Sequence, residues 1–454
     1  MKKSLIFAFL LLCSSFLFAA YNSLGIPDSA EIRQGLLESW FQAPIESLRA
    51  KVPEIYTNDI GQKFQVRMEE GESTFNIFVS PQNKIKVDVY TDSGVKEEEQ
   101  YVYPGDAQGS FVVIRDKTNG KTLRVRYYFL KNSEIYIQFS PYGKLALTDL
   151  IIFGNYAARG VSTGIPFDRY YTSSFQEVMK TTKNVLPWNY VLSNPDDYHS
   201  VKQMIAVIKE KLPEILYAED AMYDEYNQLV QISNGKSFDS IQEENLGQAK
   251  LLLSSAGFVK WIADGLVEPI AGSPLKRTPL IKETVKVKDT GYQGILSQKY
   301  SLFFALDWIR NLASAVISVY SGQTYLFDNS GVDVNINPFA SAITDSGVEN
   351  IVTFIENSGY RIEVLKSLLY VLAATEPGTF YFGAIRGTDK TVKPEVMAFN
   401  ECVAFFPYFL NDGAFDCAVF MNGRQMTLEN FCMYYPETFV YLTRVKSSEN
   451  FFPQ

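Results

Sequence analysis

Hydrophobic residues in the first third of the chain follow two rhythms. Ile32, Leu36, Leu37 and Trp40 recur at helical spacing behind Asp28 and Ser29, either of which can cap a short helix, and Pro44 closes it. Beyond that helix the period drops to two. Phe64, Val66 and Met68 alternate with polar residues, as do Phe75, Ile77 and Val79, then Ile85, Val87 and Val89. Phe111 to Arg115 and Leu123 to Tyr128 flank Asn119-Gly120, a tight-turn signal, and Ile135 to Phe139 and Leu145 to Phe153 add two more runs. Short strands joined by Gly, Asn and Asp turns predict an antiparallel β-sandwich or barrel. The charge run Lys96 to Glu99 reads as a solvated loop.

After Pro166 the pattern changes. Helix-period stretches run from Ser200 to Leu216, Ala256 to Leu266, Leu302 to Tyr320 and Ile362 to Ala374. Strand-like runs return at Phe380 to Ile385, Cys402 to Phe409 and Ala414 to Phe420. The expected fold class is therefore α+β, with a β-rich domain over 21–165 and an α+β domain over 166–454. No periodic repeat is present.

Residues 1–20 carry a different signal. Lys2 and Lys3 precede an apolar stretch from Leu5 to Phe18, and Ala19-Ala20 follow, which predicts a secretory signal peptide cut after Ala19 or Ala20. Leu12 stands where a lipidated Cys13 would need a small residue, which argues against a lipoprotein. No later stretch reads as a membrane span, since Leu302 to Tyr320 carries Asp307, Arg310 and Asn311. The expected location is the periplasm or the medium. Composition narrows the classes further. With 42 Lys+Arg against 51 Asp+Glu, a net charge of -9 argues against nucleic acid as a partner. A 46% apolar share with 33 Phe and 28 Tyr excludes disorder and calls for a large core. A single His argues against His-based metal sites, and nothing in the sequence calls for a cofactor. Cys402, Cys417 and Cys432 are spaced fifteen apart without a CxxC pair, so buried thiols are favoured over a disulfide.

Chemistry concentrates in Leu251-Leu252-Leu253-Ser254-Ser255-Ala256-Gly257-Phe258-Val259-Lys260-Trp261. The plain structural account makes Ser254 or Ser255 a helix N-cap, Gly257 a point of close packing, and Phe258, Val259, Trp261 and Ile262 core. A nucleophile at a helix N-terminus would also feel the positive end of the dipole. Other motifs are weaker. His199 follows an acidic pair near a helix start and reads as a surface residue. Ser273-Pro274-Leu275-Lys276 fits a serine nucleophile pattern but lacks its partner motifs. Asp328, Asp333, Asn335 and Asn337 fail the calcium-loop spacing.

The Ser254–Trp261 string resembles the signature of the NlpC-type cell-wall peptidases, a papain-like family in which Asp-Cys-Ser-Gly-Phe/Leu-Val opens the nucleophile's helix. Gly257, Phe258 and Val259 match, Ser255 holds the nucleophile's column and Ser254 the preceding Asp. Pro377-Gly378-Thr379-Phe380-Tyr381-Phe382 is similar to the strand before the family's His, and Cys402-Val403-Ala404-Phe405 to the His strand, with Cys402 in the His column. The resemblance implies a papain-like fold for 166–454 with a helical insertion at about 275–365. It also implies that Ser255 lies in the first turn of a helix and faces Cys402 on a strand. Both catalytic columns differ from the family, so Ser255 and Cys402 mark an eroded site and peptidase activity is not expected. Glu401 could replace the base, but strand neighbours face opposite sides. The expected function is an inactive NlpC-like envelope protein that binds a peptidoglycan stem peptide or an envelope protein. An active hydrolase using Ser255 or a cysteine is the alternative, and a β-sandwich adhesion or structural protein is a third.

Overall fold

The computed structural model describes residues 25–91, 94–238, 250–285, 302–340, 342–344, 347–349, 354–389 and 395–454. The leader expected at residues 1–20 and part of the expected insertion lie outside them. The chain divides into two compact units. One holds the residues up to 194 with 339–351 and 411–414, and the other holds 195–338, 352–410 and 415–454. The first unit therefore runs past the expected boundary at residue 165, beyond the end of its last sheet strand at Pro166, through the helical segment that follows.

The first unit begins with α1 (Ala30–Leu36), which widens into a π-helical turn over Leu37–Phe41. Strands β1 (Glu54–Thr57), β2 (Lys63–Glu70), β3 (Thr74–Pro81), β4 (Asn83–Thr91), β5 (Gly94–Val102), β6 (Phe111–Asp116), β7 (Thr122–Tyr127), β8 (Ile135–Tyr142), β9 (Leu145–Ile152) and β10 (Asn155–Pro166) follow. Eight of them make one antiparallel meander, β1-β2-β3-β6-β7-β8-β9-β10. This corrects the sandwich or barrel expectation. The strands form a single sheet rather than two facing ones, and β1 and β10 each have one strand neighbour. Alternation reports only that one sheet face is buried, and here helical segments cover it. Phe41 packs on Phe111 at 5.6 Å between ring centroids, Tyr127 on Phe175 at 5.4 Å, and Phe139 stacks on Tyr170 at 3.7 Å. Phe175 opens α2 (Phe175–Thr182), whose start carries a Ser174/Glu177 capping box. Strands β4 and β5 form a separate ribbon, so Lys96 to Glu99 is strand and not loop. The run stays solvated, and cross-strand pairs Lys84–Glu99 (2.5 Å) and Lys86–Glu97 (2.6 Å) suit its charges to the ladder.

In the second unit α3 (His199–Lys211) leads to β11 (Ile215–Tyr217), β12 (Ala221–Tyr223), β13 (Leu229–Gln231) and β14 (Leu251–Leu253). Strand β14 pairs in parallel with β11 and runs directly into α4 (Ser255–Ala271). Helix α5 (Phe304–Ser321) packs on α4, with the Trp308 indole donating to the Ala256 carbonyl at 3.0 Å. The ribbon β15 (Ala342–Thr344) and β16 (Gly347–Glu349) belongs to the first unit. Then come β17 (Tyr360–Arg361), α6 (Leu365–Thr375), β18 (Thr379–Asp389), β19 (Val396–Phe409), β20 (Phe415–Met421), β21 (Arg424–Thr427), α7 (Leu428–Tyr434) and β22 (Phe439–Lys446). The six strands form one antiparallel sheet, β17-β22-β18-β19-β20-β21. Aromatic pairs tie helices to it, Tyr370 on Phe409 at 5.2 Å and Phe431 on Phe405 at 5.1 Å. The molecule is thus mixed α+β with large antiparallel sheets. Among the described residues no helix is long and apolar enough to cross a membrane.

Candidate functional site

The strand–helix junction Leu251–Trp261 is built around a serine pair with two separate tasks. Ser254 is the N-cap of α4. Its Oγ accepts the Gly257 amide at 3.1 Å and donates to the Ala221 carbonyl at 3.0 Å, which locks the helix start onto β12. Gly257 follows from that lock, because a Cβ there would collide with the Ala221 carbonyl oxygen. Ser255 is the first helical residue and turns the other way. Its Oγ accepts the backbone amide of Cys402 on β19 at 3.3 Å, across 147 residues of sequence.

The sheet explains why that amide needs an acceptor. The β19–β20 ladder begins at Ala404↔Phe420, so β20 has already turned away before it reaches Cys402. The Ser255 hydroxyl takes the place of the missing strand carbonyl. Next to it, β19 carries a bulge. Ile385 pairs with Glu401 and Arg386 with Phe399, leaving Asn400 as the extra residue. Cys402 is fully buried and Ser255 is 8% exposed. Neither lines any of three cavities of about 240, 460 and 790 Å³ in this unit.

The electrostatics of the pair oppose catalysis. Burial pushes the Cys402 thiol far up, with the neighbouring Glu401 adding to the effect, so the sulfur stays protonated. Glu401 itself accepts the Tyr435 hydroxyl at 2.6 Å and lines the 460 Å³ cavity. His199 opens α3 and is exposed. All three described cysteines are free thiols, Cys402 and Cys417 buried and Cys432 half-buried. Among the described residues no cluster of three or more His, Cys, Asp or Glu could hold a metal ion.

Two buried charges carry more structure than sequence reasoning gave them. Arg310 on α5 is 3% exposed and spends its whole fork. It reaches both Asp333 oxygens (3.3 and 3.2 Å), the Tyr441 hydroxyl (2.7 Å), Thr284 Oγ1 (3.2 Å) and Asn357 Oδ1 (3.3 Å). This network forms one wall of the 790 Å³ cavity and accounts for Asp333, set aside above as a calcium ligand. Lys260 on α4 is 1% exposed and pairs with Asp264 at 2.6 Å. The available signal was a lone charge inside an otherwise apolar helix.

Residues 22–190 match a family described as a domain of unknown function (DUF8515), so the similarity falls on the β-rich first unit and covers less than half of the chain. No curated protein and no solved structure matches the chain.

Proposed function

We propose that this is an exported cell-envelope protein whose second unit follows a papain-like plan of the NlpC type and binds rather than cuts, taking a peptidoglycan stem peptide or an envelope protein. One observation carries the reading. The hydroxyl at the helix N-terminus, in the nucleophile's column, meets the strand residue in the histidine's column at 3.3 Å, through a backbone amide. This contact between the two columns supports the reading, although it runs through a main-chain amide and not through the side chains that the family's chemistry would use. A serine nucleophile needs a base to take its proton, and a buried neutral thiol does not serve. The positively charged start and apolar run of residues 1–20 support export.

The test uses the full chain. Incubated with purified cell wall, it releases no new amines but co-sediments with the wall, or cross-links to an envelope protein. Turnover that vanishes in Ser255→Ala would promote the hydrolase alternative. A Ser255→Cys/Cys402→His double variant that gains turnover would support an eroded peptidase site. Burial of the pair away from the three cavities favours a second reading, in which the β-rich unit carries an adhesive or structural role. Absence of both wall binding and a cross-linked partner would leave that reading in place of the first.

A further inference from the structure

On a face of α4 away from the Cys402 contact, Lys260, Asp264 and Glu268 follow one another at four-residue spacing and line the 240 Å³ cavity. That volume is far above the roughly 10–15 Å³ that one water needs and just below the ~300–1,000 Å³ of pockets for drug-sized ligands. Trp261 and Tyr223 supply aromatic wall, and Leu251 and Leu253 apolar wall.

The charges do not balance. Lys260 and Asp264 neutralise each other at 2.6 Å, and the second Asp264 oxygen accepts the Leu275 amide at 2.8 Å. Glu268 is then the odd charge. No hydrogen bond or ion pair joins its carboxylate to another described residue, and it is only half-buried at the cavity edge. Burial and the nearby Asp264 push its pKa up, while Lys260 pulls it down. The α4 face that lines the cavity (Lys260, Asp264, Glu268) thus carries one net negative charge, and its unpaired carboxylate beside aromatic walls is complementary to a small cation.

We infer that this cavity is a binding site for a small organic ammonium group, such as the side-chain amine of a basic or diamino amino acid, with Glu268 as its counter-ion and the Trp261 and Tyr223 rings as its walls. The site is separate from Ser255 and Cys402 and does not depend on the papain-like reading. A free cation and a peptide-borne amine share this chemistry, and the experiment separates them.

The full chain is titrated by calorimetry and by the Trp indole signals in NMR with L-lysine amide, L-norleucine amide (which has no side-chain ammonium), potassium chloride and a lysine-containing tripeptide. Expected is saturable binding of lysine amide, none of norleucine amide at the same concentrations, and no competition from potassium. Glu268→Gln, checked for folding by circular dichroism, weakens binding at least about tenfold. Glu268→Arg places a cation of the chain's own in the cavity and abolishes it. Glu356→Gln, in the 790 Å³ cavity, leaves it unchanged. Tighter binding of the tripeptide than of lysine amide assigns the site to peptide-borne amines, and the reverse to free ones. The inference is overturned if lysine amide and norleucine amide bind alike, if neither binds, or if folded Glu268→Gln binds as the parent does.

Discussion

At residue scale, the Ser254–Gly257 turn shows how little freedom the junction has. Gly257 faces the Ala221 carbonyl, a backbone atom held in place by the Ser254 hydroxyl and amide. It cannot swing aside as a side-chain tip would. Gly257→Ala is expected to lower stability by about 1–3 kcal/mol, the usual cost of overpacking a well-filled core, and chemical denaturation with circular dichroism measures it. A loss below a few tenths of a kcal/mol would mean that β12 yields. The thiols give a second prediction. Burial, helped by Glu429, raises Cys432 to about 11, and Cys402 and Cys417 lie higher still. Since only the thiolate reacts, alkylation of the three described cysteines in the folded protein at pH 7.5 should be slow and confined to Cys432. Its rate should climb about tenfold per pH unit toward 11, and denaturant should expose Cys402 and Cys417 together. Fast labelling of Cys402 at neutral pH would contradict the burial on which the catalytic argument rests.

At element scale, the sequence reading of α1 placed Ile32, Leu36, Leu37 and Trp40 on the buried face and passed over Arg33. In the fold Arg33 is fully buried. It donates to the carbonyls of Tyr171 (3.0 Å) and Ser173 (2.9 Å), to Ser29 Oγ and to Tyr127 Oη, and its guanidinium lies 4.4 Å from the Phe111 ring centroid. Asp28 completes the arrangement, with one oxygen on the Ala30 amide and Arg33 and the other on the Phe175 amide. One helix turn thereby caps α1 and α2 and holds the segment between β10 and α2 over the sheet. Arg33→Met keeps the stem's bulk but strands several buried acceptors. A loss on the order of 3–5 kcal/mol is expected, read as a shift of the denaturation midpoint with unchanged slope. A shift under 1 kcal/mol would show that water replaces the guanidinium. Another buried arginine, Arg310, ties α5 to Asp333 and Tyr441 in the same manner, which is why a strongly apolar helix carries charge on its inner face.

At the scale of the whole molecule, the exported-protein proposal rests on residues 1–20, and mass spectrometry of the native protein tests it. The expected N-terminus is Ala20 or Tyr21. An intact Met1, or lipid on Cys13, would defeat it. Large parts of both units were legible beforehand. The period-two runs became β2 to β4 and β6 to β9. The helical stretches at 256–266, 302–320 and 362–374 became α4, α5 and, after a 3₁₀ turn, α6. Strand β22 escaped notice, although it lies between β17 and β18 in the second sheet. Its Val440, Tyr441, Leu442 and Thr443 are all buried, so no alternation marked it as a strand.

What the sequence determined by itself was local. Periodicity, turn residues and capping residues act over a few positions, and they sufficed for the type of most elements, for the α+β class and for a serine cap on α4. The tertiary structure decided everything that depends on distant partners. Whether period-two strands close into one sheet or two depends on what covers their apolar face, and here α1, α2 and the Phe167–Tyr171 turn do so. Whether Ser255 is a nucleophile or a substitute strand acceptor depends on where the β19–β20 ladder stops, at Ala404, just short of Cys402, which lies 147 residues after the serine. Whether Arg33, Lys260 and Arg310 are solvated or buried depends on the carbonyls, carboxylates and rings brought to them from elsewhere. A lone charge in an apolar stretch does not specify its partner, because hydrogen bonds and desolvation are properties of the assembled interior.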